Sequence, residues 1–548
     1  MVKWYHKGLW NLYSRFESWS ASHTAPRAGA ISIHPVDPVR MCINLVAGIR
    51  MPRDVAFRRC HRSEEIPLVD SATDDGSVSR RVAVAVLAAG HGTRMKSAFP
   101  KHLHEVGGVP IVERVIRAGL AVKPEQLVAV VSPRLEDLPA RLDMEGQFEV
   151  AVQEVPQGTA DAVRHAMRSM NECDWIISLL GDSPLLTGET VSLLLEGAIS
   201  TGCPVTVLTC MLPDAQSYGR IDRDELGRPR RIVERKNDDA AMRQGTTEIN
   251  SGIMVLRADW AREALARVAL NEETGEFLLT DLIELAVDEH RPGQPWPVAT
   301  VVGDPSVALG VNDRVQLAEA DDVVRDRVRK QLQLSGVTIL GPETVFIDER
   351  VEIASDTIIM PFTVITGATK IGSGCRIGPH AVVHNAIIAD RVEIAGATIT
   401  DCAIDDDADV GPYSRLRGNT HIGAGAHVGN FVEMKNTQFG PESKAGHVSY
   451  LGDAKVGARV NIGAGTITAN YDGTRKHPTV LGNDVFVGSD SVLVAPVTLE
   501  QGARTGAGAV VTHDVPESTL VVGVPARPRP RRVEESPETT GEHVKQEG

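Results

Sequence analysis

From residue 345 to about residue 512 the chain repeats in sixes, and this period limits the fold more than any other feature. Ile371-Gly372, Ile377-Gly378 and Val383 stand six apart, as do Ile404, Val410-Gly411, Leu416, Ile422-Gly423 and Val428-Gly429. The beat returns at Leu481-Gly482, Val487-Gly488, Leu493 and Leu499. A helix repeats near 3.6 and an exposed strand at 2, so neither produces sixes. One aliphatic residue per six, usually followed by a small one, suits a triangular parallel β-coil in which each hexapeptide forms one side. The aliphatic residue would fill the narrow bore, and the small residue would permit the corner. The register slips near residues 400–404, 434–439 and 451–456, which predicts insertions or loops on one edge of the coil.

A chain of 548 residues exceeds one core and implies two or three domains. Its net charge of −15 argues against nonspecific binding to nucleic acid or to an anionic membrane, so any phosphate-binding cations must be local. The seven cysteines (Cys42, Cys60, Cys173, Cys203, Cys210, Cys375, Cys402) are odd in number and form no C-x-x-C pair. That pattern fits a reducing cytoplasm better than a disulfide framework or a zinc site. No apolar run reaches the ~18 residues of a membrane span.

Five regions follow from the patterning. Residues 1–80, with Trp4, Trp10 and Trp19 among many Arg and His, read as a disordered extension or as upstream sequence from a start set too early. In residues 81–308, apolar runs at 82–88, 127–132, 175–180 and 204–210 alternate with helical stretches such as 109–120 and 159–170, the βαβ rhythm of a doubly wound sheet. Residues 309–333 read as a charged, amphipathic linker helix. The coil occupies 334–525, and a Pro/Arg then Glu-rich tail, 526–548, is expected to be disordered.

A Gly-rich turn, Leu87-Ala88-Ala89-Gly90-His91-Gly92-Thr93-Arg94-Met95, leaves the first buried strand. Glycines let backbone approach a ligand, and amides together with Arg94 suit phosphate. The turn lacks the third glycine of the dinucleotide fingerprint and the G-K-[ST] of a P-loop. With Pro100-Lys101 it becomes L-x-A-G-x-G-T-R-M-x-S-x-x-P-K, which resembles the signature of sugar-1-phosphate nucleotidylyltransferases. Gln157-Gly158-Thr159-Ala160, Leu180-Gly181-Asp182, Tyr218-Gly219-Arg220, Ile232-Val233-Glu234, Ile249-Asn250-Ser251-Gly252 and Val311-Asn312-Asp313 follow in that family's order. Asp182 ends an apolar strand, where α/β proteins bind ligands, and with Asn312 it offers two oxygens to Mg²⁺.

Within the coil, Arg415-Leu416-Arg417, the run 429–436, the run 444–453, Asn461-Ile462-Gly463-Ala464-Gly465-Thr466 and Asn470-Tyr471-Asp472-Gly473 narrow the match. Together they resemble the bacterial bifunctional N-acetylglucosamine-1-phosphate uridylyltransferase/glucosamine-1-phosphate N-acetyltransferases, over residues 82–515. The resemblance implies a Rossmann-like α/β nucleotidyltransferase domain followed by a left-handed parallel β-helix, assembled as a homotrimer. It implies Mg²⁺ as cofactor, with acetyl-CoA and UTP as co-substrates. Glucosamine 1-phosphate would first be N-acetylated at the coil. N-acetylglucosamine 1-phosphate would then take uridylyl from UTP, giving the UDP-sugar precursor of peptidoglycan and lipopolysaccharide.

The same resemblance assigns residues. His447 would be the general base of acetyl transfer, with backbone amides near Ala464 and Ser489 stabilising the thioester oxygen. Arg415 and Lys435 would contact the sugar phosphate, and Tyr450, Asn461, Asn470, Tyr471 and Lys476 would line the sugar site. Ala464, Asn470, Tyr471, Ser489 and Ala507 would meet acetyl-CoA. At the other site Arg94 and Lys101 would neutralise phosphate charge, and Leu87, Ala88, Ala89, Gly90 and Asn312 would hold UTP. Gln153 and the Gly158-Thr159 backbone would read uracil, and Gly219, Glu234 and Asn250 would hold the N-acetylated sugar. Two positions depart from the pattern: Gly418 stands where a proline is usual, and Gly523 where some relatives carry a base that reaches the CoA phosphates, a role Arg527 could take.

Two other readings remain. A nucleotidylyltransferase with a purely structural coil would lack the cluster from His447 to Asn470. A noncatalytic assembly subunit would lack Lys101 and Asp182.

Overall fold

The computed structural model describes residues 80–215, 218–234 and 247–529. Most of the expected N-terminal extension and C-terminal tail lie outside those residues.

The unbroken apolar run Val82–Ala88 forms strand β1, every residue of it buried. It lies at the centre of a mixed sheet, hydrogen-bonded in parallel to β2 (Gln126–Val131) on one side and β4 (Trp175–Leu180) on the other. β3 (Glu149–Val152) extends the β2 edge in parallel. Beyond β4 come β6 (Thr247–Arg257), β5 (Val205–Leu212) and β7 (Val298–Gly303), with β6 antiparallel to both neighbours. Helices α1 (Ile111–Leu120), α2 (Thr159–Ser169) and α3 (Gly188–Thr201) connect the strands. Apolar clusters on both faces bury the sheet, as continuous Val/Ile/Leu strands require. The carboxyl ends of β1 to β4 therefore share one edge, and the loops there carry the first group of candidate residues.

Helix α4 (Arg314–Leu334) follows, its N-terminus capped by Asp313, which accepts from the amides of Val315 and Gln316. It is fastened to both sides. Asp321 accepts from the Gly107 amide at 2.7 Å, and Arg325 bridges Asp321 and Asp348 at 2.7 and 3.1 Å. Buried Glu113 pairs with Arg117 of its own helix and with Arg350 of the coil.

The coil runs from Thr338–Ile339 to Leu520–Val522 as short parallel strands on three faces, a left-handed parallel β-helix. Ile347, Ile365, Val383, Ile399, Leu416, Met434 and Leu451 succeed one another in its bore, followed by Thr468 and Leu493, all buried. Two details differ from the sequence reading. The small residue after the bore aliphatic is itself left-handed at Gly378 (φ 101°) and Gly411 (φ 116°), but at Gly372, Gly423, Gly482 and Gly488 it does not make the corner. It permits close approach of the next coil: a Cβ on Gly482 would sit 2.7 Å from the Gln501 nitrogen, and one on Gly488 2.7 Å from the Ala507 nitrogen. The turn is made two residues later by a left-handed residue such as Arg391, Asp407, Glu442 or Asp484.

The register slips are shortened turns, not insertions. Arg415 pairs Glu433, eighteen residues on, whereas Glu433 pairs Tyr450 and Phe439 pairs Val456, each only seventeen on. The insertion lies elsewhere, after Ala469: Ile467 pairs Val492, twenty-five residues on. At the far end Arg527–Arg529, assigned to the tail by composition, turns back as a strand antiparallel to Leu520–Val522.

Candidate functional site

At the sheet edge, the turn after β1 brings Gly92 (φ 62°) against Lys101, whose Cβ would lie 2.6 Å from a Cβ at that glycine. Lys101, 8% exposed, sends its ammonium 2.7 Å from Asp182 Oδ2 and 3.5 Å from Asn312 Oδ1. Arg94 donates to the same Asn312 oxygen at 2.9 Å. Gly181 donates to the Leu87 carbonyl at 2.9 Å, and Val311 to the Asp182 carbonyl at 2.9 Å, so three distant segments are stapled together. Asp182 and Asn312 thus bring two side-chain oxygens to the Lys101 ammonium. That donor set fits a hard divalent ion completing its shell with phosphate oxygens and water. Among the described residues no group of three His, Cys, Asp or Glu forms a closed metal cage. Buried His102, next in the chain, is pushed down to about 4 by burial and by the Lys101 charge, so it stays neutral.

Gln153 follows β3 at the same edge, 1% exposed, and donates through Nε2 to Asp161 Oδ2 at 2.6 Å. Gly158 (φ 101°) caps α2 where a Cβ would meet the Phe277 carbonyl at 2.5 Å, and Thr159 Oγ1 accepts from the Leu279 amide at 3.0 Å. Gly219 and Glu234, at the ends of the paired strands Arg220–Arg223 and Pro229–Val233, meet Asn250 of β6. The Asn250 amide donates to the Gly219 carbonyl at 2.9 Å, and Glu234 Oε1 would lie 3.4 Å from a Cβ at Gly219. Sequence reading missed the residues that support this edge. Arg114 binds the Pro184 carbonyl at 2.8 Å and Arg327 the Leu185 carbonyl at 3.4 Å, just beyond Asp182. Asp161 was missed too, although it directly follows the quoted motif Gln157-Gly158-Thr159-Ala160.

The second group lies along one corner of the coil. Asn430 pairs with His447. Ala445, Ile462 and Val487 stand in register on successive coils. Two residues past each come His447, Ala464 and Ser489, and the next coil places Ala507 below, its nitrogen 2.7 Å from a Cβ at Gly488. His447 is exposed at the head of this column. Among the described residues neither the Ala464 nor the Ser489 amide donates to a backbone carbonyl, which leaves both available to an oxyanion.

One face further round, Arg417 pairs with Lys435 in register, and Arg415 with Glu433. Lys476 reaches Lys435, and its charge with that of Arg417 holds the Lys435 ammonium below the usual lysine range. Arg417 is itself held by Glu433. The Tyr450 hydroxyl lies beside Gly452 with Asn470, whose Nδ2 donates to Asp453 at 2.6 Å. Tyr471 and Lys476 sit in the inserted loop, closed by a bridge between them and by Asp472, which accepts from the amides of Thr474 and Arg475 and bonds His477. Those bonds, the Arg475 amide first, pull the Asp472 carboxyl down to about 2. Asn461 is not brought to this group. It stands on the adjoining face, in register with Lys444 and Phe486. Gly418 adopts φ 64°, which proline cannot, and Arg527 pairs with Val522 next to Gly523.

Residues 84–214 match the family model of MobA-like NTP transferase domains, and residues 350–385 that of bacterial transferase hexapeptide repeats. The bifunctional protein GlmU of Trichlorobacter lovleyi is 43% identical over 80% of this chain and 95% of its own length. Those of Carboxydothermus hydrogenoformans (41%, covering 80% and 96%) and Streptomyces coelicolor (40%, covering 84% and 94%) match over similar spans. A nucleotidyltransferase edge and a hexapeptide column in one chain, with relatives matched over nearly their whole length, lead to one conclusion: the chain belongs to the family of bifunctional GlmU proteins.

Proposed function

We propose that the coil centre N-acetylates glucosamine 1-phosphate from acetyl-CoA and that the sheet-edge centre then joins N-acetylglucosamine 1-phosphate to UTP, releasing pyrophosphate. The column of His447, Ala464, Ser489 and Ala507 carries this reading, because it separates a working acetyltransferase from a structural coil. His447 takes the proton of the attacking amine as the nitrogen bonds the thioester carbon and the CoA thiolate leaves. The free amides of Ala464 and Ser489 receive the developing oxyanion. Arg415, Lys435 and Lys476 hold the sugar phosphate, while Tyr450, Asn470 and Tyr471 shape the sugar pocket. Asn461, on the adjoining face, and the open side of His447 call for a second copy, and the homotrimer is the assembly proposed. Exposed Tyr413 and Phe431, stacked 5.4 Å apart on the same corner, suit such a contact.

At the sheet edge Lys101 and Arg94 neutralise and align the phosphates for in-line attack on the α-phosphorus. Mg²⁺, when bound by Asp182 and Asn312, supplies further positive charge to phosphate oxygens. Gln153, Gly158 and Thr159 face the base, Leu87 to Gly90 its ribose and phosphates, and Gly219, Glu234 and Asn250 the acetylated sugar. Substrates of this kind place the enzyme in the cytoplasm, and no described helix is long and apolar enough to cross a membrane.

The test supplies glucosamine 1-phosphate and acetyl-CoA without UTP and measures free thiol. In parallel it supplies N-acetylglucosamine 1-phosphate and UTP and measures pyrophosphate. Both products are expected; absence of thiol release would reduce the coil to a scaffold.

A further inference from the structure

We infer that Asp161 sets the base selectivity of the nucleotide centre by fixing the Gln153 amide with its carbonyl oxygen toward the base. The inference rests on Gln153 facing the base, as proposed above.

An ionised carboxylate only accepts hydrogen bonds, so the atom of Gln153 that faces Asp161 at 2.6 Å must be the amide nitrogen. Cationic and polar neighbours surround Asp161. His165 Nδ1 lies 3.3 Å from its carboxylate and 2.9 Å from its carbonyl, and the Arg164 guanidinium lies 4.0 Å away. Arg164 is tied in turn to the carbonyls of Leu265 and Val268. Gln153 and Asp161 are 1% and 7% exposed, so their bond is shielded from competing water. Backbone fixes the other end: the Gln153 amide donates to the Val131 carbonyl at 2.9 Å. Among the described residues the side-chain oxygen of Gln153 takes no hydrogen bond, and it is the atom left for a ligand.

A free amide side chain reads both pyrimidines, because a flip exchanges its acceptor for its donor. One pinned through nitrogen does not. Its oxygen accepts from the N3–H of uracil, whereas cytosine presents a lone pair at N3 and would leave two acceptors face to face. Discrimination of this kind, from a buried polar group left unpaired by the wrong substrate, exceeds what pocket shape gives for rings of equal size. Asp161 is therefore a positioning residue. Exchanging its carboxylate for an amide would give Gln153 a neighbour that donates as well as accepts, and would free the flip.

The experiment uses the full chain with Asp161→Asn, Asp161→Ala and Gln153→Ala, measuring kcat and KM for UTP and for CTP with N-acetylglucosamine 1-phosphate. Acetyl transfer by the same samples reports folded protein. Asp161→Asn is expected to lower the UTP/CTP ratio of kcat/KM by roughly 10–100-fold, mainly through a higher KM for UTP. Asp161→Ala should lower it less, and Gln153→Ala should abolish most of it. A wild-type ratio in both Asp161 variants, with the ratio lost in Gln153→Ala, overturns the inference and keeps Gln153 at the base. A wild-type ratio in Gln153→Ala removes Gln153 from the base and the inference with it. Equal losses for both nucleotides in the Asp161 variants assign that residue a structural role only.

Discussion

The two centres of this chain handle charge in opposite ways. At the sheet edge the two cations already have partners: Lys101 meets Asp182, and Arg94 meets Asn312. On the coil, Lys435 and Lys476 crowd each other, and His447 stands exposed with no ring hydrogen bond among the described residues. One centre is closed by segments from Leu87 to Asn312 within a single chain. The other is a row of residues, one per coil, along an open edge. The contrast teaches that a compact α/β edge preorganises itself, whereas a solenoid presents an address and depends on what docks there.

Single substitutions sharpen this contrast by separating the two activities. The largest effect is expected from His447→Ala, which should cut acetyl transfer by ~10²–10⁴-fold and leave uridylyl transfer unchanged. Thiol release followed against pH checks it. The deficit should narrow as pH rises and the amine arrives unprotonated, and unchanged turnover at neutral pH would leave His447 a structural role.

Next comes Asp182→Asn, expected to lower uridylyl transfer by ~10²–10³-fold with acetyl transfer intact. Asp182→Ala should also destabilise the first domain, because it leaves the shielded Lys101 ammonium unpaired. Pyrophosphate release across a Mg²⁺ titration is the measurement, and a wild-type rate at saturating Mg²⁺ would remove Asp182 from the metal.

The smallest effect belongs to Asp472→Ala. Losing the bonds that close the inserted loop should raise KM for glucosamine 1-phosphate about 5–10-fold while kcat changes little. The loop is organised by the carboxylate, whose protonation midpoint of about 2 is below the ordinary aspartate range. Its ordering is thus fully present above pH 4 and fades as pH falls through about 2. If KM does not move, Tyr471 and Lys476 do not depend on that loop.

Much of this architecture is legible in the sequence because the bore admits one kind of residue every six positions, and Ile371, Ile377 and Val383 announce it. The strand Val82–Ala88 is legible for a similar reason: burial on both faces leaves an unbroken apolar run. Corners were harder. Glycine after the aliphatic suggested a turn, but the left-handed position is filled by Arg391, Asp407 or Glu442, where no composition signal exists. The insertion after Ala469 keeps enough polar and small residues to pass for slack in the repeat. Contacts between distant segments left no trace at all. Glu113 with Arg350, Asp321 with Gly107, and Arg114 with Pro184 join elements whose order says nothing of their meeting. Asp161 was hidden differently, one residue beyond the end of the motif Gln157-Gly158-Thr159-Ala160.

The column below His447 has a further consequence: it is a ruler. Neighbouring coils lie about 4.8 Å apart, so Ala464, Ser489 and Ala507 mark successive gradations at that interval below His447. A donor molecule lying along the edge is measured in whole steps, since the strand ladder admits no half-coil. Removing one complete turn between His447 and Ala507 would preserve every bore contact of the remainder yet shorten the scale by one gradation. On the proposed reading, reach along the acyl donor is quantised by backbone hydrogen bonding, and variants of this fold can change donor length without altering a single side chain at the reacting end.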